Sequence, residues 1–242
     1  MKTVLITGAN KSIGFETAKQ LLGLGYYVYL GCRDLEKGID AAKQLSSDNI
    51  QAIQIDISDE NSIDEARKLI GSKIECLDVL INNAGISGGF PQSPTTLETD
   101  AIRKVFDTNF FGTINVTKAF LDLLKNSSNP RIVNVTSGLA SLTLHNDPSW
   151  IHYNFKGGSY GPSKTALNAY TIALAFELRD TAFKINLVDP GFTATDFNQH
   201  KGTGSVEDAA KIIVKYATID ASGPTGKFFS SESNAADDQI PW

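Results

Sequence analysis

The sequence predicts an α/β domain: a parallel sheet with helices packed on both faces. Three observations carry that prediction. Short apolar runs rich in β-branched residues recur along the chain, as strands buried on both faces require. Longer stretches of helical spacing separate them, the pattern of right-handed crossover units. The length, 242 residues, fits a single domain.

The strand-like runs are TVLIT (3–7), YYVYLG (26–31), IQAIQI (50–55), LDVLINNAG (77–85), RIVNVTS (131–137), KINLVDP (184–190) and GKFFS (226–230). Helical spacing appears at FETAKQLLGLG (15–25), LEKGIDAAKQL (35–45), NSIDEARKLIGSK (61–73), AIRKVFDTNFFGTINVTKAFLDLLK (101–125), SKTALNAYTIALAFELRD (163–180) and SVEDAAKIIVKYAT (205–218). Two long irregular segments remain, 87–96 and 140–159. Long loops in a compact α/β domain are often functional, and ligands in such sheets bind outside the carboxyl ends of the strands.

Composition excludes several classes. The net charge is −5, with no basic stripe to follow a phosphodiester backbone, so no nucleic-acid partner is expected. Cys32 and Cys76 have no metal-ligand spacing and no support for a disulfide, so no metal is expected and a reduced, cytoplasmic setting fits. The opening TVLITG run is too short for a signal peptide, and no apolar run reaches membrane-spanning length.

Chemistry-bearing residues collect at the ends of the predicted strands. TGANKSIG (7–14) places Gly8 in a tight turn and Gly14 at a helix start, where free N–H groups and the helix dipole suit a pyrophosphate. The plain alternative is a turn that needs glycine only for its own shape. Tyr160 is the one tyrosine of seven followed four residues later by lysine, Lys164, so the two share a helix face. A nearby ammonium favours the phenolate and brings a phenol toward useful acid–base chemistry. Ser137 ends a strand, where its hydroxyl is able to hydrogen-bond a developing alkoxide. Asn109 interrupts a helical stretch; alone it reads more readily as a solvent-facing polar residue.

Together these residues resemble the short-chain dehydrogenase/reductase family, and within it the monomeric NADPH-dependent carbonyl reductases. TGANKSIG resembles the cofactor loop, NNAG (82–85) the sheet-stabilising motif and YGPSK (160–164) the active-site motif, with Asn109, Ser137 and DPG (189–191) in the family's order. The resemblance implies one doubly wound Rossmann domain over 1–242 with seven parallel strands. It implies reversible hydride transfer between NADP(H) and a carbonyl or alcohol carbon. Tyr160 would supply the proton, and Lys164 would lower its pKa and bind the nicotinamide ribose. Ser137 would hold the substrate oxygen, and Asn109 would maintain a helix distortion that shelters a proton-relay water. The cofactor would be bound by Gly8, Asn10, Lys11, Ser12, Ile13, Gly14, Arg33, Asp56, Ile57, Asn83, Ala84, Gly85, Pro190, Gly191 and Thr193, together with Tyr160 and Lys164.

Two departures from the family pattern bear on this. Ser12 stands where glycine or alanine is usual, which costs strain if the position needs positive φ. The stretch between Ser137 and Tyr160 is longer than in many members. In the carbonyl reductases a still longer insertion covers the helical face used for assembly, so a monomer is expected here, with dimer or tetramer as alternatives. At the end of the second strand Cys32 takes the place of the acid that grips an NAD ribose, and Arg33 follows. Lys11 and Arg33 are therefore expected to select NADP, while Asp34 points elsewhere by strand alternation. Segments 86–97, 138–159 and 192–204 should form the substrate pocket. Ile86, Phe90, Leu139, Trp150, Tyr153 and Phe192 make it apolar, which suits a hydrophobic ketone or aldehyde. A sugar-nucleotide epimerase would place glycine at Lys11. A non-catalytic NADP-sensing protein, the main alternative, would usually lose the tyrosine or the lysine.

Overall fold

The computed structural model describes residues 1–242. Seven strands, β1 (Thr3–Ile6), β2 (Tyr27–Cys32), β3 (Ile50–Gln54), β4 (Val79–Asn82), β5 (Arg131–Val135), β6 (Lys184–Asp189) and β7 (Phe228–Ser230), form one sheet in the order β3-β2-β1-β4-β5-β6-β7. Every neighbouring pair is parallel. This is the doubly wound single-domain architecture expected from the sequence, and all the carboxyl ends lie along one edge.

Helices α1 (Ser12–Gly23), α2 (Leu35–Leu45), α3 (Glu60–Gly71), α4 (Thr99–Phe106), α5 (Thr113–Lys125), the short α6 (Leu142–His145), α7 (Tyr160–Glu177) and α8 (Val206–Ala217) complete the fold. Strand alternation divides the core. Val4, Ile6, Val28, Leu30 and Ile81 pack on one face with Ala18 and Leu21 of α1 and Ile213 of α8. Leu5, Tyr29, Leu80, Ile132 and Ile185 pack on the other with Ile63 of α3, Phe120 of α5 and Leu174 of α7. No helix is long and apolar enough to cross a membrane.

The apolar runs overshoot the strands at their carboxyl ends. Residues 83–85, 136–137 and 190 read as strand by composition but lie beyond the ladder. There the chain has left the sheet, so residue type no longer follows strand pairing. The helical stretch at 101–125 is also broken: α4 and α5 are joined by a π turn, Asp107–Gly112, with Asn109 inside it. Such turns often mark functional positions.

Gly112 closes that turn. A Cβ there would lie 2.4 Å from the carbonyl oxygen of Ile57. Helix propensity alone makes alanine better than glycine by about 1 kcal/mol; the collision should outweigh this. Gly112→Ala is expected to lose about 1–3 kcal/mol in urea unfolding, whereas a gain would mean the turn relaxes freely.

Candidate active site

The loop between β1 and α1 is held by its neighbours before any ligand is considered. Gly8 has φ +64°. The Asn83 side-chain amide donates to the carbonyls of Thr7 (2.9 Å) and Gly8 (3.0 Å), while the backbone N–H groups of Asn83 and Ala84 donate to the Thr7 hydroxyl, both at 3.1 Å. A Cβ on Gly14 would stand 2.5 Å from the Gly8 carbonyl oxygen and 2.6 Å from Asn83 Nδ2, so only glycine permits the close approach. Lys11 is the N-cap of α1 and makes no side-chain cap. The first-turn N–H groups of Ser12, Ile13 and Gly14 have no partners within the helix, as at any helix start. This cradle fits a phosphate-bearing dinucleotide. Asn10 stands in the same loop.

Ser12 has φ +52°, the left-handed region anticipated from its position. Asp56 and Ile57 follow β3; the Asp56 carboxylate accepts from Ser58 at 2.6 Å. After β6, Gly191 turns at φ +78°, and the Thr193 hydroxyl donates to the Pro190 carbonyl oxygen at 3.2 Å. Arg33 lies exposed just past β2, and Cys32 is buried beside it. Asp34 turns away, capping α2 through the N–H of Lys37 and pairing with the Lys37 ammonium at 3.1 Å.

Tyr160 begins α7, with Pro162 in the first turn, where its missing N–H is tolerated. Lys164, one turn on, is buried; its ammonium donates to the Val135 carbonyl oxygen at 2.8 Å and lies 5.9 Å from the Tyr160 ring centre. Ser137 caps a short turn, Gly138–Ala140, its hydroxyl accepting from the Leu139 N–H at 3.2 Å, and the same hydroxyl favours the ionised form of the Tyr160 phenol. Asn109 is fully buried, not solvent-facing. Its side chain accepts from the N–H of Ile86 (2.8 Å) and donates to the Ile86 carbonyl (2.9 Å) and Ser163 (3.1 Å). Gly85 lies between the two groups: a Cβ there would be 3.2 Å from Asn109 Oδ1 and 3.6 Å from Lys164 Nζ. A hydroxyl, a phenol and an ammonium thus converge at the ends of β4 and β5. The set is able to hold a carbonyl oxygen and pass it a proton.

The charge balance differs from the expectation that Lys164 lowers the phenol. In the chain by itself, desolvation in the cleft raises the Tyr160 pKa, the Asp189 carboxylate raises it further, and the Ser137 hydrogen bond pulls it back. Burial also pulls Lys164 down to about 8. The ammonium is spent on a backbone carbonyl, and low polarity disfavours both charged forms.

Lys11 and Arg33 are not joined by a shared partner. Lys11 instead pairs at 2.7 Å with Asp196, which also contacts His200 at 2.9 Å. This links the loop before α1 to the segment after β6. The insertion 138–159 packs toward the cleft: Trp150 lies 5.3 Å from His152, which lies 5.8 Å from Phe192. Phe90 meets Phe155 at 5.2 Å. Phe111 of the π turn and Ile172 and Phe176 of α7 stay exposed, so the insertion does not cover that face. The monomer expectation therefore loses the support it drew from the insertion.

Two further residues carry no motif. Gln92, 4% exposed, accepts from the Tyr160 N–H at 3.1 Å and caps α7 from another loop. Phe197 stands edge-on to the Tyr160 ring at 5.3 Å. A separate concavity, about 800 Å³, runs along β3 between Leu35, Ile39 and Leu69 and contains none of the candidate residues.

A family model described as short chain dehydrogenase matches residues 2–205. The short-chain dehydrogenase anuI of Penicillium roqueforti is 38% identical, over 89% of this chain and 88% of that protein. The (+)-neomenthol dehydrogenase of Capsicum annuum is 30% identical, over 93% of this chain and 94% of its own length. A solved structure described as ElxO with NADP bound superimposes with a TM-score of 0.80 at 32% identity, over 95% of this chain and 96% of that one.

Ser12 gives a direct test of strain in the loop. Left-handed backbone costs a non-glycine residue about 1–2 kcal/mol, offset in part by glycine's greater unfolded-state entropy. Ser12→Gly is therefore expected to raise stability by up to about 1 kcal/mol in urea unfolding. A loss would show that the hydroxyl matters more than the backbone.

Proposed function

Because this chain belongs to the short-chain dehydrogenase family, we propose that it is an NADPH-dependent reductase of a hydrophobic ketone or aldehyde. The observation that carries the reading is the convergence of Ser137, Tyr160 and Lys164 beside a loop that ends in the partner-free first-turn N–H groups of α1. NADPH, when bound, supplies the hydride. The chain's own residues do the rest. Ser137 holds the carbonyl oxygen, and Tyr160 donates its phenolic proton to that oxygen as charge develops. Lys164 offers its ammonium near the phenol and to the cofactor's ribose. Asn109 fixes the backbone of Ile86 and the Ser163 hydroxyl, and so the floor on which Lys164 rests.

The substrate walls are assigned to 86–97, 138–159 and 192–204. Phe90, Trp150 and Phe192 supply apolar surface, which favours a hydrophobic carbonyl compound. The neomenthol dehydrogenase among the relatives acts on a small apolar alcohol, by its name. Preference for NADP is inferred from Lys11 and Arg33, with no carboxylate at Cys32 to repel a 2′-phosphate. ElxO, with NADP bound, is a relative consistent with that choice. On this reading Lys11 exchanges Asp196 for the phosphate. The exchange is easy because an exposed ion pair is weakly held.

The defining experiment follows NADPH consumption against a panel of apolar ketones and aldehydes; no turnover with any of them would overturn the reading. Tyr160→Phe should lower turnover about 100-fold or more while leaving cofactor affinity nearly unchanged. Near-normal turnover would remove Tyr160 from the chemistry. Substituting both Lys11→Ala and Arg33→Ala should reduce kcat/KM for NADPH roughly 10- to 100-fold, the worth of one charge-assisted contact or more. NADH efficiency should hardly move. An unchanged ratio between the two cofactors would assign those cations another role.

A further inference from the structure

Glutamine is seldom buried unless its amide is hydrogen-bonded. Gln92, in the loop between β4 and α4, is 4% exposed and bonded at both ends. Its Oε1 accepts from the Tyr160 N–H at 3.1 Å. Its Nε2 donates to the carbonyl oxygen of Ser87 at 2.5 Å and to that of Gly89 at 2.8 Å. One partner is an N–H and two are carbonyls, so a reversed amide would set donor against donor and acceptor against acceptor. The surroundings fix which way the carboxamide points.

The two ends hold different parts of the molecule. The oxygen end serves α7. Ser159, the N-cap of that helix, makes no side-chain cap, so the first N–H of the helix takes its acceptor from another segment. The Gln92 backbone carbonyl adds a second tie, accepting from the Gly158 N–H at 2.8 Å. A Cβ on Gly157 would come 2.7 Å from Oε1, so the chain entering α7 lies against this side chain. The nitrogen end serves the loop. Gly88 and Gly89 both turn left-handed, at φ +77° and +78°, and such a pair has much backbone freedom to lose. Gln92 gathers the carbonyls of Ser87 and Gly89 onto one amide and so closes that turn. The turn leads directly into Phe90, whose ring meets Phe155 of the insertion edge-on at 5.2 Å.

We propose that Gln92 is a positioning residue with two separable ends: Oε1 seats Tyr160 at the start of α7, and Nε2 shapes the Ser87–Gly89 turn that brings Phe90 to Phe155. The catalytic meaning, a proton donor at one end and an apolar substrate wall at the other, rests on the reductase reading. Both contacts are present without cofactor or substrate, so their failure is distinguishable from failure of that reading.

The test uses two variants and NMR of the protein without cofactor. Gln92→Glu keeps an oxygen for the Tyr160 N–H, but its ionised carboxylate has no donor for the two carbonyls. Gln92→Met keeps the length and removes both ends. The Tyr160 amide should exchange with deuterium roughly 3- to 10-fold faster in Gln92→Met than in the wild type, the worth of one hydrogen bond. Gln92→Glu should retain the wild-type rate. The Overhauser contact between the Phe90 and Phe155 rings should be lost in both variants. The Ser163 amide, bonded to the Ser159 carbonyl at 3.0 Å, reports that α7 is intact. Equal Tyr160 exchange in the wild type and Gln92→Met would overturn the seat, and a ring contact that survives in Gln92→Glu would overturn the shaping of the turn. If neither variant folds, the wild type decides: a Tyr160 amide exchanging at the free-peptide rate would overturn the proposal. Kinetics supply the second readout. With a carbonyl substrate that is turned over, Gln92→Glu should raise KM roughly 3- to 10-fold with kcat nearly unchanged, whereas Gln92→Met should also lower kcat. An equal loss of kcat in both variants would overturn the separation of the two ends.

Discussion

One carboxamide holds the site to the sheet. Asn83 leaves β4 and reaches across to the Thr7 and Gly8 carbonyls at the end of β1, the point where the strand order reverses. Those two carbonyls would otherwise stand unpaired in a half-buried turn, and each orphan would carry a desolvation cost. Once they are held, the left-handed turn at Gly8 is fixed, and Gly14 must come within contact distance of both partners. Helix α1 then starts where its N–H groups open onto the cleft. The remaining site residues approach this fixed edge from their own strand ends.

A second tier of polar contacts sets the side that carries Ser137 and Tyr160. Asn82 donates to Asn134 at 2.8 Å and to Thr117 at 3.0 Å, and Asn134 donates to Thr171 at 2.9 Å. Through these bonds β4, β5, α5 and α7 are tied inside an apolar core, where each bond counts for more than in water. The distance from Ser137 to Tyr160 is thereby governed by packing rather than by the loop between them. That loop is free to vary in length, and here it does.

How much was legible follows from this division. The sheet could be read because strands buried on both faces must be continuously apolar, and six of the expected helices needed only periodicity. Tyr160 and Lys164 could be read because helical spacing puts them on one face. Gln92 could not: its partner is a backbone N–H far along the chain, and no local pattern records that. Asp189 was visible only as part of a turn motif, because burial of its charge is decided by the turn after β6 and by β7, far along the chain. Asn109 drew notice as a polar residue in a helix, but sequence left open whether it faced solvent; the π turn settles it as buried. The pull of Lys164 on the phenol was reasonable for a pair in isolation. In the chain by itself burial opposes it: the ammonium has a carbonyl partner, and low polarity disfavours both charged forms.

The hydrogen bond from Ser230 to Asp189 has a consequence for how the protein is made. Synthesis proceeds from the N-terminal side, and the half with Gly8, Gly14 and Asn83 can assemble its parallel strands early. Ser230 and Glu232 emerge after every other strand has been made. A nascent chain that lacks β7 therefore holds the phosphate cradle, while Asp189 has lost its shortest hydrogen bond. Completion of the two halves is staggered in time: the N-terminal strands first, the β6–β7 contact at Asp189 last.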